Sequence, residues 1–214
     1  MLKAAGLTEK ETIVMRYRSV PVLSAAFLAL AYSVAQAAPL TAKAGTYAID
    51  PLHTQVIFAI RHEGLSTFYG RFSKIAGGLT FDPASPQTSA LTVAIDMTGI
   101  ETHVDALDKE LRDDVFNASK FPTATFVSTA ITKVGDNTGT VTGNLTLNGI
   151  TKPVTLAVTF NGGRNSPIPF QPYRIGFDAT GTIHRADFGL DGMIWSGFVG
   201  DDVTLMIESE MEKK

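Results

Sequence analysis

The chain has no cysteine. It can therefore form no disulfide, offers no thiolate to a metal and carries no cysteine for a lipid anchor. Positive charge is also short: Lys and Arg number 18 against 21 Asp and Glu, a net charge of −3. That balance disfavours a nucleic-acid partner, which would show a basic stripe. No Gly-x-Ser-x-Gly elbow is present, and no glycine pattern that would cradle a phosphate between a strand and a helix. Low-complexity blocks, charge runs and strong internal repeats are missing too. The longest apolar run, "VPVLSAAFLALAYSVA" from Val20 to Ala35, falls short of the about 20 residues that a spanning helix needs.

That run has another explanation. Arg16 and Arg18 precede it, and Ala35 and Ala37 follow as an Ala-x-Ala site. A basic flank, a short apolar stretch and a small-residue site describe a secretory signal peptide, with a short transmembrane anchor as the competing reading. The expected division is residues 1–37 as N-terminal extension and signal, and residues 38–214 as one domain. Residues 1–14 are too long and too acidic for an ordinary signal start, so translation is expected to begin at Met15. Cutting after Ala37 removes Lys3, Lys10, Arg16 and Arg18 against Glu9 and Glu11, leaving a more acidic remainder. The expected product is periplasmic, with no stable membrane insertion after cleavage. Lacking disulfides, it must hold itself together by its core.

What fills the remainder is a repeating alternation. Short runs rich in Val, Ile, Thr and Phe are separated by Gly, Pro, Asn and Asp, the pattern of strands and turns. Strands are predicted at Thr46–Ile49, Gln55–His62, Phe68–Phe81, Leu91–Asp96, Thr123–Ser128, Thr140–Leu147, Val154–Phe160, Tyr173–Ile183 and Val203–Glu210. Asn148-Gly149 reads as a tight hairpin turn. Val154, Leu156, Val158 and Phe160 fall on one face and Thr155, Ala157 and Thr159 on the other, which means antiparallel sheet with one dry side. About eight such strands close into a barrel, although a two-sheet sandwich fits the alternation almost as well. One segment departs from this period. In "ETHVDALDKELRDDVFNASKFP", Thr102 is a candidate N-cap with Asp105 three residues on. Val104, Leu107, Leu111 and Val115 then form a narrow helical stripe, expected to lie on the sheet or across a barrel mouth.

The stretch "DPLHTQVIFAIRHEGLSTFYGRF" first draws the eye for its histidines. If Gln55–His62 is a strand, His53 and His62 stand roughly 30 Å apart at about 3.3 Å per residue and cannot share a metal. His103 and His184 have no partner at ligand spacing, so no metal site is expected. Ser66 and Ser196 lack a recognisable base, and adjacent acids such as Asp113-Asp114 and Asp201-Asp202 read as solvated charge. No catalytic residue is assigned. The surplus of phenylalanine, thirteen in all with only Phe27 before the expected cut, reads either as a filled core or as the lining of an apolar ligand tunnel.

Five phrases decide the direction: "IDPLHTQVIFAIRHEGLSTFYGRF", "FNASKFPTATF", "LTLNGITKPVTL", "GTIHRADFGL" and "VGDDVTLMIE". In this order and spacing, from Tyr47 to Glu210, the chain resembles the YceI-like family of polyisoprenoid-binding periplasmic proteins. The resemblance implies an all-β fold, an eight-stranded lipocalin-like barrel with a short helical insertion. It also implies a long isoprenoid or similar amphiphile inside, bound without established catalysis. The helix departs from the family pattern Arg-Asp-x-His-Leu: Leu107 stands for the usual Arg and Glu110 for the usual His. Losing two cations disfavours a pyrophosphate head there, so a neutral head, on a quinone or a fatty amide, is expected over a polyprenyl phosphate.

The resulting expectation is a binding and transport protein for a polyprenyl, quinone or fatty amide lipid, using no other cofactor. Its ligand wall is assigned to Phe58, Ile60, Phe72, Phe126, Phe160, Ile175 and Phe177, with His62 and Arg71 meeting the polar end. The alternatives are a lipid- or quinone-linked redox accessory using a histidine at the barrel mouth, and a ligand-free stress-response protein. A homodimer is left open.

Overall fold

Alternation of apolar and polar residues carries through into strands along the whole domain. The computed structural model describes residues 40–192 and 197–214, all within the unit Ala38–Lys214. The expected signal, cleavage site and start codon fall on residues 1–37, outside the described residues, as does Ser196. The strands are β1 (Gly45–Ile49), β2 (Gln55–His62), β3 (Ser66–Phe72), β4 (Ile75–Phe81), β5 (Ala90–Asp96), β6 (Ile100–Glu101), β7 (Thr123–Lys133), β8 (Thr138–Leu147), β9 (Ile150–Asn165), β10 (Tyr173–His184) and β11 (Val199–Lys213).

Strands β1, β4, β5, β7, β8, β9, β10 and β11 pair in that order, all antiparallel, and β11 returns to β1. This closes a ring of eight strands and decides for the barrel over the sandwich, since closure removes the exposed edges that a sandwich retains. The remaining strands extend the wall. β11 meets β1 through Met211–Lys213 and β2 through Val199–Glu208, so β1 and β2 are two halves of one staggered strand. β3 and β4 divide in the same way. The stretch Phe68–Phe81, expected as one strand, is broken at Ser73 and Lys74, whose backbone bonds run instead to Gly99 and Asp96. Gly99 permits that crossing, because a Cβ there would lie 2.7 Å from Lys74 Cγ.

The hairpin at Asn148-Gly149 forms as expected. Both residues have positive φ, 51° and 76°, and Leu147 pairs directly with Ile150. This is the combination that a two-residue type I′ turn demands. Strands β9 and β11 run well beyond their expected ends; in β9, Ile150–Pro153 are held by β8 alone and Gly162–Asn165 by β10 alone, so one paired neighbour suffices where the residues' own strand signals are weak.

Strand β6 pairs with β3 through Arg71 and Phe72, and among the described residues no strand joins β6 to β7. The chain between them forms α1 (Asp105–Glu110), which widens into a π-type turn over Leu111–Val115, with Phe116 N donating to Leu111 O at 2.8 Å. Its start differs from expectation: Val104, not Thr102, is the capping residue. His103 adopts φ +64° and redirects the chain, while the Thr102 amide and hydroxyl both donate to Asp108. The polarity of the cap is thus reversed, with an acid of the first turn holding the chain that leads into the helix. The deepest packing lies elsewhere, at Tyr47, Ile175 and Phe188.

Candidate ligand cavity

Inward-facing residues of the strands pack one apolar cluster and leave two cavities within the walls. One cavity of about 340 Å³ is walled by strands: Ile49, Leu79, Leu91, Val93, Leu156 and Ile207 are typical of its lining. The second, of about 470 Å³, has strand residues on one side and Leu107, Leu111, Val115 and Phe116 of the helical segment on the other. Val56, Ile95, Leu145 and Leu205 line both. They come from β2, β5, β8 and β11 and form a waist between two chambers.

Most of the residues assigned from sequence fall into these walls. Phe126, Phe160 and Phe177 line the strand-walled chamber. Phe160 and Phe177 pack with Phe81, ring centroids 5.3–5.7 Å apart in tilted and edge-on contacts. Phe58, Ile60, His62 and Phe72 line the helix-side chamber. Two small residues make room for the aromatics. Gly70 is the register partner of Phe58 and Gly143 lies under Phe126; a Cβ at either would come within 2.2 and 2.4 Å of the ring.

Two assignments need correction. Arg71 faces outward, because Gly70 and Phe72 take the inward positions. It binds Glu101, with Nε and Nη2 at 2.8 and 2.6 Å. Glu101 also accepts from Ser73 Oγ, and that bond first, then Arg71, holds its carboxyl below the usual range. Ile175 does point inward but lines neither chamber. It is 1% exposed, packed beside its partner Met211 where β10 meets β11.

The histidines are separated, as their spacing requires. His53 binds Asp50 at the break between β1 and β2, while His62 ends β2 in the chamber wall. Two groups of histidine and carboxylate come close elsewhere, and each has a structural task. Asp50, His53 and Glu210 surround Arg174, which reaches Asp50 at 3.5 Å, Glu210 at 3.8 Å and Glu212 at 2.6 Å. Burial alone would raise Asp50, but bonds from His53 and the Leu52 amide, with Arg174 nearby, hold it below its usual value. His184, Asp201 and Asp202 pin the bulge where β11 departs from β2. His184 Nδ1 lies 2.8 Å from Asp202, and Asp201 accepts from the Ala186 amide.

The residue that sequence reading missed is Arg185, part of the helix-side wall. Its signal was the alternation itself: Ile175, Phe177, Ala179, Gly181 and Ile183 face inward on β10, and position 185 continues that parity. The guanidinium donates to Gly200 O at 2.9 Å, Leu190 O at 2.6 Å and Val199 O at 3.0 Å. It thereby holds the bulged start of β11 beside the chamber.

Comparisons with known proteins agree with this architecture. The model of the YceI-like domain matches residues 47–211. A UPF0312 protein from Ectopseudomonas mendocina is 41% identical over 152 residues, 70% of this chain and 78% of that protein. The crystal structure of Burkholderia cenocepacia BcnA superposes with a TM-score of 0.68 at 26% identity, covering 76% of this chain and 98% of BcnA. A Saccharophagus degradans structure described as a polyisoprenoid binding domain implicated in plant cell wall breakdown shares the fold, at TM-score 0.60 and 18% identity over 80% of this chain and 100% of that one. With its eight-stranded antiparallel ring, one short α-helix among the described residues and a family match spanning nearly the whole domain, the chain belongs to the YceI-like family.

Proposed function

We propose that this protein is an exported, periplasmic binding protein that sequesters or carries a long-chain isoprenoid or similar amphiphilic lipid inside its barrel. The observation that carries the reading is the pair of apolar chambers, about 340 and 470 Å³, that share a waist of four aliphatic side chains. Cavities of this size are in the range that holds small-molecule ligands. Two in line suit an elongated occupant better than a compact one. Each buried CH₂ would add about 0.8 kcal/mol. The neighbour described as a polyisoprenoid binding domain supports the same class of ligand. Among the described residues no wall serine or threonine shares a side-chain hydrogen bond with a histidine, whose bonds are those of His53 to Asp50 and His184 to Asp202, which favours binding over catalysis.

The test is lipid extraction from protein purified without detergent from its native host. A long-chain amphiphile present at near one molecule per chain is the expected result. Protein that carries no lipid and does not take up an apolar fluorescent probe such as N-phenyl-1-naphthylamine would overturn the proposal. Cell fractionation, with N-terminal sequencing of the product, tests export and the cut after Ala37. One observation favours a second reading: His62 stands in the chamber wall, where it could hydrogen-bond a quinone carbonyl in a redox accessory. A shift in the midpoint potential of a bound quinone that disappears in His62→Phe would support that role.

A further inference from the structure

The polar groups of the helix-side chamber gather at one end of it. His62, Ser66 and Arg185 belong to its lining. Register brings them together: His62 pairs with Ser66 across the β2–β3 hairpin and with Val199 of β11, and Val199 O accepts from Arg185. The rest of that lining is apolar side chains, so this corner is where an amphiphile's head would find partners.

Arg185 has an unusual balance there. Ion pairs among the described residues involve His53, Arg71, Lys74, Lys109, Arg112, Arg174 and His184, and none involves Arg185. The nearby acids Asp201 and Asp202 are engaged with the Ala186 amide and His184. Three carbonyls take three of the five guanidinium N–H groups, so among the described residues two donors and the positive charge have no partner. A partly buried charge of this kind is stabilised by an anion more than by a neutral acceptor.

We propose that Arg185, with His62 and Ser66, forms a head-group subsite that takes an amphiphile bearing one singly charged carboxylate. The inference rests on the lipid-binding reading above and specifies its ligand class. Among the described residues Arg185 is the one lysine or arginine in this chamber's lining, so it supplies the cation there. A single positive charge with two spare donors matches a carboxylate. A pyrophosphate would leave negative charge without a partner, and a hydrocarbon or alcohol head would leave the arginine as it is. This moves the head from the neutral class to a singly anionic one, with the tail directed past the waist toward the strand-walled chamber.

The experiment is displacement of N-phenyl-1-naphthylamine from delipidated protein by four probes: laurate, lauramide, dodecanol and farnesyl pyrophosphate. Laurate should bind roughly tenfold or more tightly than lauramide and dodecanol, the scale of one charge-assisted hydrogen bond. Farnesyl pyrophosphate should gain no comparable advantage over dodecanol. The preference for laurate should fall to near parity in Arg185→Gln and survive in Arg185→Lys, with circular dichroism reporting that the barrel persists. Equal affinity for the three C12 probes in the unaltered protein overturns the subsite, and needs no variant to fold. A laurate preference abolished by Lys133→Gln, at the mouth of the other chamber, also overturns it by placing the head at the wrong end. A stronger preference for farnesyl pyrophosphate does so by charge. Failure of every probe to bind rejects the lipid-binding reading itself.

Discussion

The two chambers of this barrel are built from one alternating pattern but walled in different ways. Around the strand-walled chamber, every strand has hydrogen-bonded neighbours on both sides. Around the other, the wall extended by β2, β3 and β6 meets no further strand among the described residues, and a six-residue helix with its π-type turn covers the gap. Neither element contains a buried residue; their apolar side chains are only partly covered. His103 at one end and Asn117 at the other both stand at positive φ, 64° and 46°, a conformation uncommon for residues other than glycine. The difference teaches that stability and adaptability are divided: paired strands fix one chamber, while side-chain contacts alone hold the cover of the other.

The largest expected effect tests this directly with one substitution at two places. Leu156→Ala removes a side chain that is 8% exposed in β9 and should cost about 2–5 kcal/mol, the range for buried leucines. Leu111→Ala in the cover removes a side chain that is only partly covered and should cost about 1 kcal/mol. Denaturant unfolding of both variants measures the contrast. Equal losses would mean that the cover is as much a part of the fold as the strands, and the division would not hold.

A second substitution acts on the junction. Leu205 lines both chambers and faces Phe58 on one neighbouring strand and Gly181 on the other. Leu205→Trp would fill the waist without displacing backbone, since empty space lies on either side. Binding of a long single-chain ligand should weaken by about tenfold, equivalent to about 1.4 kcal/mol or two excluded CH₂ groups. A compact probe that fits one chamber should keep its affinity. If both probes respond alike, the chambers act as one space and the waist has no selective role.

How much of this was legible from the residues depended on the kind of interaction. Strand β2 was predicted to the residue, because its apolar period and its flanking turn residues agree. The inward face of β9 followed from parity, and length along the strand separated His53 from His62. Arg71 was misplaced for a related reason. Its neighbours Gly70 and Phe72 hold the inward positions, but a glycine with no side chain hides the alternation. Ile175 shows the limit of that reasoning: period 2 tells which side a residue faces, and only packing tells whether the space beyond it is empty. Arg185 stands one residue past the end of β10, and its place depends on carbonyls of residues 190, 199 and 200. Such long-range bonds leave no local signature. The break at Ser73–Lys74 was equally hidden, since it is imposed by contacts with residues 96 and 99.

The smallest expected effect lies far from the cover, at Asp50, where the split wall strand is tied by charge. His53 is raised above its ordinary value, first by its hydrogen bond to Asp50 and then by that carboxylate's charge; Glu210 also raises it, and Arg174 opposes. A raised histidine contributes stability that is fully present below the unfolded value near 6.5 and is lost as pH rises through the folded one. Asp50 is shifted the other way, so its contribution is in place above about 3.9 and disappears only as pH falls through its lowered folded value. Between those limits both partners are charged. Comparison of the unaltered protein with His53→Gln should therefore show a larger difference in melting temperature at pH 5.5 than at pH 8.5. His53 is half exposed at its side chain, so the difference should be small and should shrink with added salt. Arg174 keeps its charge at both pH values and continues to hold Glu212 and Asp50, which leaves the tie weakened rather than broken. A pH-independent difference would mean that His53 acts by shape alone, and that this end of the wall owes its rigidity to Arg174 and strand pairing.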